Sequence, residues 1–161
     1  MVTEAIDAPG FLPRAELDRL LDLLGADGRR IIGPTVSQGA VVDGEIHRAA
    51  DLPSGWGADQ APGSYRLRPT GTDRQFDYVL GPTSWKHETF PPRAPITIGR
   101  RVDGQVTFED PPVAAPTVAF LGVRGCEIAA LLTQDAVLAR GPAVDHDYAA
   151  RRAAALVVAV E

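Results

Sequence analysis

The stretch Thr117-Val118-Ala119-Phe120-Leu121-Gly122-Val123-Arg124-Gly125-Cys126-Glu127 decides the fold of this chain. Its first seven residues carry no charge and are rich in apolar and β-branched types, which is typical of a buried strand. Beyond Glu127, apolar residues recur at helical spacing up to Gly141-Pro142, namely Ile128, Leu131, Leu132 and Leu138. The stretch therefore predicts a buried strand that turns directly into a helix.

The residues that follow extend this pattern to a βαβ unit. A second helical piece is predicted over residues 148–155, and residues 156–160 (LVVAV) have the composition of another strand. The order strand, helix, strand implies a parallel pair of strands joined by a right-handed crossover.

Upstream, the chain begins with an amphipathic helix. Pro13 suits the first position of a helix, and four leucines then recur on one face: Leu17, Leu20, Leu21 and Leu24. Gly25 or Gly28 is expected to end this helix, and the leucine stripe is expected to face the core.

The segment between this helix and the βαβ unit has antiparallel character. Asp43-Gly44 and Asp103-Gly104 are turn dipeptides flanked by apolar residues, so each predicts a β-hairpin. Three short strands and one exposed loop are also predicted: strands over 30–34, 65–68 and 76–79, and a loop over 51–63.

These patterns predict a mixed α/β fold with an N-terminal helix, antiparallel hairpins and a C-terminal βαβ unit. The proline-rich segment 111–116 is the expected seam between an antiparallel α+β part, residues 1–110, and the βαβ part, residues 111–161. We expect the two parts to form one compact domain. Because the chain stops at Glu161 directly after a strand-like run, we also expect it to be a fragment.

Composition narrows the class of protein. Sixteen Lys and Arg against twenty-one Asp and Glu give a net charge of −5, which argues against a nucleic-acid-binding surface. The single cysteine excludes an internal disulfide framework and fits a reducing cytoplasm. Residues 1–7 contain acidic side chains and no basic start, and no apolar run approaches the roughly 20 residues of a membrane helix, so neither a signal peptide nor a membrane partner is expected.

Cys126 is the most informative residue for function. It is predicted at the N-terminus of a helix beside Arg124, where free backbone N–H groups and a guanidinium favour an anion. That anion has three candidate identities: a nucleophilic thiolate, a bound phosphate, or a thiolate-ligated iron–sulfur cluster. Nothing in the sequence names a histidine base, the glycine pattern of a phosphate loop is incomplete, and one thiolate cannot hold a cluster alone.

Two further segments are candidate sites. In residues 81–92 (GPTSWKHETFPP), Lys86 is expected to neutralise an anionic cofactor, and Trp85 is expected to pack over that cofactor. The alternative is that Trp85 is a core residue and Lys86 is solvated. In residues 145–152, Asp145 or Asp147 is expected to cap a helix. Asp145 and His146 are two neighbouring donors and do not close a metal site, so no mononuclear metal centre is expected.

Taken together, these segments resemble a known family. The chain is similar to the N-terminal part of the iron–sulfur β subunits of sulfhydrogenase-type and NADP-linked bidirectional nickel–iron hydrogenases, to which the A subunit of anaerobic sulfite reductase is related. The segments that carry the resemblance are 62–67 (PGSYRL), 81–86 (GPTSWK), 90–92 (FPP), 122–127 (GVRGCE) and 147–152 (DYAARR). Family members usually have proline before the cysteine and aspartate after it, whereas this chain has Gly125 and Glu127.

The resemblance implies electron relay by a subunit that contains [4Fe–4S] clusters in its full-length relatives. In those relatives further cysteines and a ferredoxin-like region follow the last strand, so this chain alone is not expected to complete a cluster. Cys126 would be one metal ligand, and Arg124 and Lys86 would offset the negative charge of the cluster beside Trp85. The implied partners are flavin- or NAD(P)-binding and catalytic subunits of a redox complex. The alternative is a small α/β enzyme or anionic-ligand-binding domain that uses the Arg124–Cys126 turn directly.

Overall fold

A computed structural model of the chain describes residues 10–160. The expectation about a signal peptide rests on residues 1–7, which lie outside the described residues. The regular elements, in chain order, are α1 (Leu17–Ala26), β1 (Arg30–Ser37), β2 (Ala40–Glu45), β3 (Trp56–Ala61), β4 (Ser64–Pro69), α2 (Lys86–Thr89), β5 (Ile98–Val102), β6 (Gln105–Glu109), β7 (Val118–Val123), α3 (Gly125–Gln134), α4 (His146–Ala154) and β8 (Leu156–Ala159). The predicted mixed α/β fold is confirmed.

The central sheet has the strand order β2-β1-β7-β8. β1 pairs antiparallel with β2 and parallel with β7, and β7 pairs parallel with β8. The predicted βαβ unit is therefore confirmed, with α3, a short π-helical turn over Asp135–Ala139 and α4 forming the connection between β7 and β8. Residues on both sides of segment 111–116 share this sheet, and the predicted division at that segment remains a prediction.

Both faces of the central sheet are covered, as the uncharged sequence of β7 predicts. Every residue of β7 is buried. Because successive strand residues point to opposite faces, Ala119 and Leu121 join one core cluster, which includes the α1 residues Leu21 and Leu24. Val118 and Phe120 join the other, which includes Ile32, Trp85 and Leu131. Val123 also belongs to this second cluster, because the irregularity between Leu121 and Val123 interrupts the alternation. Helix α1 thus packs on one face of the sheet, and α3 packs on the other.

The first predicted hairpin exists, but its turn lies elsewhere. Asp43 and Gly44 are inside β2, opposite Pro34 and Gly33, so the prediction of a turn at Asp43-Gly44 is wrong. The turn is formed by Gln38 and Gly39, whose φ angles are 50° and 78°. Two successive positive φ values are what a type I′ hairpin turn requires, and this turn aligns the apolar residues of β2 with the core. The second predicted hairpin, with Asp103-Gly104 between β5 and β6, is confirmed.

Two further expectations for the middle of the chain are wrong. Residues 51–63 contain strand β3, which pairs with β4, instead of a loop throughout. Residues 76–79 form no strand: Phe76 has a φ of 62°, and its carbonyl oxygen accepts a hydrogen bond from the Arg124 side chain instead of a neighbouring strand. Tyr78 is nevertheless buried, so its side chain packs in the interior without belonging to a sheet.

Candidate functional site

The candidate site lies where β7 gives way to α3. Gly122, one residue before the end of β7, has a φ of +87°, and a Cβ atom there would lie only 2.8 Å from Cε1 of Phe76. Glycine is required for both reasons, since other residues rarely adopt this φ and their side chains would displace the phenyl ring. The irregularity in the pairing of β7 with β8 falls at the same place, between Leu121 and Val123. The end of β7 is therefore irregular at a glycine that packs closely against Phe76, just before α3 begins.

Arg124 is the N-cap residue of α3 and is held by contacts on several sides. Its backbone N–H donates to Oε2 of Glu127 at 2.9 Å, which is the acidic half of a capping box. Its guanidinium donates to the carbonyl oxygen of Phe76 and lies over the ring of Tyr78, 5.5 Å from the ring centroid. The cation of Arg124 is thus half-buried against segment 76–78.

Cys126 is the second residue of α3 and carries an exposed, free thiol. Its predicted position at a strand-to-helix turn beside Arg124 is therefore confirmed. The thiol is accessible to a ligand or a partner from solvent. Within residues 10–160 there is no group of three or more His, Cys, Asp or Glu side chains placed to hold a metal ion.

Trp85 and Lys86 lie alongside α3, because they line a small cavity together with residues of that helix. The cavity has a volume of about 40 Å³, and its walls include Trp85, Lys86, Glu127 and Gln134. The Trp85 ring is buried and stacks on Phe120, with ring centroids 4.8 Å apart, which favours the core interpretation of this residue. Lys86 is exposed, with Nζ 5.8 Å from the ring centroid of Phe90.

A polar cluster next to the Arg124 turn was not predicted from the sequence. Asp43 of β2, Tyr78, Thr83 and Glu127 surround a cavity of about 10 Å³, enough for roughly one water molecule. Thr83 Oγ1 accepts from the backbone N–H of Asp43 at 2.8 Å and donates to its Oδ2 at 3.2 Å. No local signal identifies Asp43 as a site residue, because the Asp-Gly dipeptide indicates a turn and the contact with Thr83 spans forty positions.

Burial governs the protonation of this cluster. Removal from water raises the pKa of Asp43 and of Glu127, and it also raises the pKa of the Tyr78 hydroxyl. For Glu127, the hydrogen bond from the Arg124 N–H opposes the rise, and the negative charge of Asp43 adds to it. The two carboxyl groups therefore interact and retain protons more strongly than exposed ones do.

The remaining candidate residues lie at the starts of α2 and α4. Oδ1 of Asp145 accepts from the backbone N–H of Tyr148 at 2.9 Å, so the predicted cap of α4 is confirmed at Asp145. His146 is exposed at the first position of that helix. His87 Nδ1 lies 2.6 Å from the carbonyl oxygen of Ser84, within the turn that leads into α2.

None of the helices between residues 10 and 160 has the combination of length and hydropathy that crossing a bilayer demands. Comparison of the chain with protein-family models, with curated proteins and with solved structures gives no match.

Proposed function

We propose that this chain is part of a cytoplasmic iron–sulfur electron-transfer subunit in which Cys126 provides one thiolate ligand. The subunit would relay electrons between a flavin- or nicotinamide-handling subunit and a catalytic subunit of the hydrogenase or sulfite reductase type. The observation that carries the proposal is the exposed thiol of Cys126 in the first turn of α3, directly after a buried central strand. The core would hold the Cys126 thiolate in place, and its exposed sulfur would remain accessible to a cluster bound by further ligands.

The residues of this chain do not fit a complete cluster by themselves. A [4Fe–4S] cluster is commonly held by four cysteine thiolates, and this chain contains one cysteine. Within residues 10–160, no group of three or more His, Cys, Asp or Glu side chains is placed to hold a metal ion. The proposal therefore requires that the other thiolates come from polypeptide beyond these residues, and it assigns this chain the task of placing Cys126.

Cationic residues near the turn support this assignment. Arg124 precedes Cys126 by two positions, and its guanidinium contacts the Phe76 carbonyl and the Tyr78 ring. Lys86 is exposed and lines a cavity together with Glu127, the neighbour of Cys126 in the chain. Positive charge close to a cluster raises its reduction potential, and we propose this role for Arg124 and Lys86, with Trp85 packed behind Lys86 in the core.

The second candidate is a small α/β enzyme or a domain that binds an anionic ligand at the Arg124–Cys126 turn. The exposed thiol at a helix N-terminus favours it, because this is where thiolates and phosphates are stabilised. Two contacts weigh against it. The Glu127 carboxylate already bonds to the Arg124 N–H at this turn, and the Arg124 guanidinium is engaged by Phe76 and Tyr78.

The two candidates are separated by anaerobic purification of the protein from its native host with its associated subunits. Iron and acid-labile sulfide are quantified, and the dithionite-reduced sample is examined by electron paramagnetic resonance. Replacement of Cys126 by Ala is expected to lower the iron and sulfide content and to change the spectrum, because a thiolate ligand is lost.

The matched control is Leu132→Ala, which removes an exposed side chain of the same helix and should leave both readouts unchanged. The proposal fails if the purified complex contains no iron and sulfide, or if Cys126→Ala leaves content and spectrum as they are. In that event, loss of a measured activity or of phosphate binding in Cys126→Ala would favour the second candidate.

A further inference from the structure

An apolar groove lies apart from the Cys126 turn, at the start of α4. Its volume is about 680 Å³, within the range of pockets that bind ligands. Its walls come from the segment after α2, the segment after β6 and the first residues of α4. The apolar lining includes Phe90, Pro91, Ala94, Pro95, Ile96 and Val113. Ile96 is 86% exposed and Phe90 is 41% exposed, so the apolar surface faces solvent.

The rim of this groove is acidic. Asp110, Asp145 and Asp147 all line it, and His146 is the one basic residue type among the described lining residues. Asp145 caps α4, and Asp147 lies in the first turn of the same helix, where a carboxylate is also favoured by the helix dipole. Asp110 is exposed and lies outside any helix, so helix capping does not explain its presence. Within residues 10–160, no salt bridge neutralises Asp110 or Asp147, and the groove therefore combines an apolar floor with negative charge.

The hairpin beside the groove offers a backbone surface as well. Ile96 lies two residues before β5, and Asp110 directly follows β6, so the groove borders the open end of this hairpin. β5 and β6 form a separate two-stranded sheet, and Phe108 on β6 is 74% exposed. Both outer edges of such a ribbon carry backbone N–H and C=O groups that are available to an extended segment.

We propose that this groove binds an extended segment of a partner protein whose apolar side chains alternate with or are flanked by Lys and Arg. The apolar side chains would fill the groove, the cationic groups would face Asp110, Asp145 and Asp147, and the backbone would run along the hairpin edge. A second copy of this chain is a poorer occupant, because each copy carries a net charge of −5 and would bring its own acidic rim. The inference does not depend on the iron–sulfur proposal.

The test uses two fluorescein-labelled peptides, Lys-Arg-Val-Leu-Val-Arg-Lys and the counterpart with Glu in place of every Lys and Arg. Binding to the whole chain is measured by fluorescence anisotropy at physiological salt, and the site is mapped by ¹⁵N chemical-shift changes. We expect the basic peptide to bind at least tenfold more tightly than its acidic counterpart, as a contribution of about 1.4 kcal/mol would give. The shift changes should fall on residues 89–96, 110–113 and 145–148.

Two variants with matched controls separate the groove from general attraction to an acidic protein. Asp110→Asn and Ile96→Ser should each weaken binding of the basic peptide by roughly threefold to tenfold, since each removes one charge or one apolar contact. Asp22→Asn and Leu23→Ser change an exposed aspartate and an exposed leucine of α1, outside the groove, and should leave binding unchanged. Circular dichroism verifies that all four variants are folded.

Three results would overturn the proposal. The first is equal binding of the two peptides, or no binding of either. The second is that the α1 control variants weaken binding of the basic peptide as much as the groove variants do, or that the chemical-shift changes are confined to other surfaces. The third is a concentration-dependent dimer in sedimentation equilibrium that Ile96→Ser dissociates, because the occupant of the groove would then be a second copy of this chain.

Discussion

The indole ring of Trp85 stacks on the phenyl ring of Phe120, with centroids 4.8 Å apart and planes inclined by 23°. Trp85 belongs to the segment before α2, and Phe120 is in the middle of the central strand β7. The stack therefore attaches segment 81–92, which has little regular structure, to the face of the sheet that α3 also covers. It places Lys86 and the short helix α2 near the candidate site.

Removal of the Trp85 ring should therefore destabilise the whole fold. We expect Trp85→Ala to lower the free energy of unfolding by about 3–5 kcal/mol, because it leaves a cavity against Phe120. Trp85→Phe retains a stacked aromatic ring and should cost clearly less. Urea unfolding followed by far-UV circular dichroism measures both variants. A cost for Trp85→Ala below about 1 kcal/mol would mean that the ring is not a core residue.

Gly122 provides a sharper test of the turn that positions Cys126. Its φ of +87° and the distance of 2.8 Å that would separate an added Cβ atom from Phe76 Cε1 predict strain in any larger residue. We expect Gly122→Ala to lower the free energy of unfolding by about 1–3 kcal/mol. Gly125→Ala is the matched control, because Gly125 begins α3 and a Cβ there meets nothing within 4 Å. The control should stay within about 0.5 kcal/mol of the wild type. Equal effects of the two substitutions in thermal and urea unfolding would contradict this account.

The sequence predicts the βαβ unit well, because its two buried strands and the intervening helices each have a strong local pattern. Residues 117–123 carry no charge, and the apolar residues after Glu127 repeat at helical spacing. The first hairpin shows the limit of such signals. Asp43-Gly44 is a good turn dipeptide, yet Gln38-Gly39 forms the turn, because that register directs Val41 into the core.

The candidate site likewise combines features that the local sequence predicts with features that it does not. The position of Cys126 and Arg124 at a strand-to-helix turn follows from local sequence and is confirmed. The residues that lie beside that turn cannot be predicted from the local sequence. Asp43 and Tyr78 are distant in sequence from Glu127 and meet it only because segment 76–84 packs against β2. Contacts of this kind depend on tertiary packing, for which a single sequence has no periodic signal.

A buried hydrogen bond in the βαβ connection gives a further prediction. The Tyr148 hydroxyl donates to Oδ1 of Asp135 at 2.7 Å, and Nε of Arg152 lies 3.1 Å from the same oxygen. Both Tyr148 and Asp135 are buried, so Tyr148→Phe should lower the free energy of unfolding by about 1.5–3 kcal/mol, the range for a hydrogen bond to a charged group. Tyr65→Phe is the control: its hydroxyl donates to the Val79 carbonyl at 3.3 Å and accepts from the Val41 N–H at 3.4 Å, and these two longer, neutral hydrogen bonds should contribute less. The account is wrong if Tyr65→Phe is the more destabilising substitution in urea unfolding.

Protonation of Glu127 should make stability depend on pH in a defined direction. Burial first, and the charge of Asp43 in addition, raise the pKa of Glu127 in the folded protein. The folded state then binds the proton more tightly than the unfolded state, so the contribution of Glu127 to stability falls as pH rises from about 4.3, its ordinary pKa, to the higher folded pKa. Glu127→Gln removes this dependence and retains an oxygen that accepts from the Arg124 N–H. We therefore expect the stability of Glu127→Gln relative to the wild type to increase over that pH interval and to level off above it.

The companion measurement uses the second carboxyl group of the cluster. Because the Asp43 charge is one of the causes that raise the pKa of Glu127, Asp43→Asn should lower that pKa without restoring it fully to its ordinary value. A ¹³C NMR titration of the Glu127 carboxyl carbon measures this shift, and Asp22→Asn, on the exposed side of α1, should leave the titration unchanged. Two results together would show that the two carboxyl groups do not share the cavity beside Tyr78. The free energies of unfolding of Glu127→Gln and the wild type would differ by the same amount at every pH, and Asp43→Asn would leave the pKa of Glu127 unchanged. Coupled titration would instead mean that the turn carrying Cys126 responds to the charge on β2, because Glu127 caps the helix in which the thiol lies.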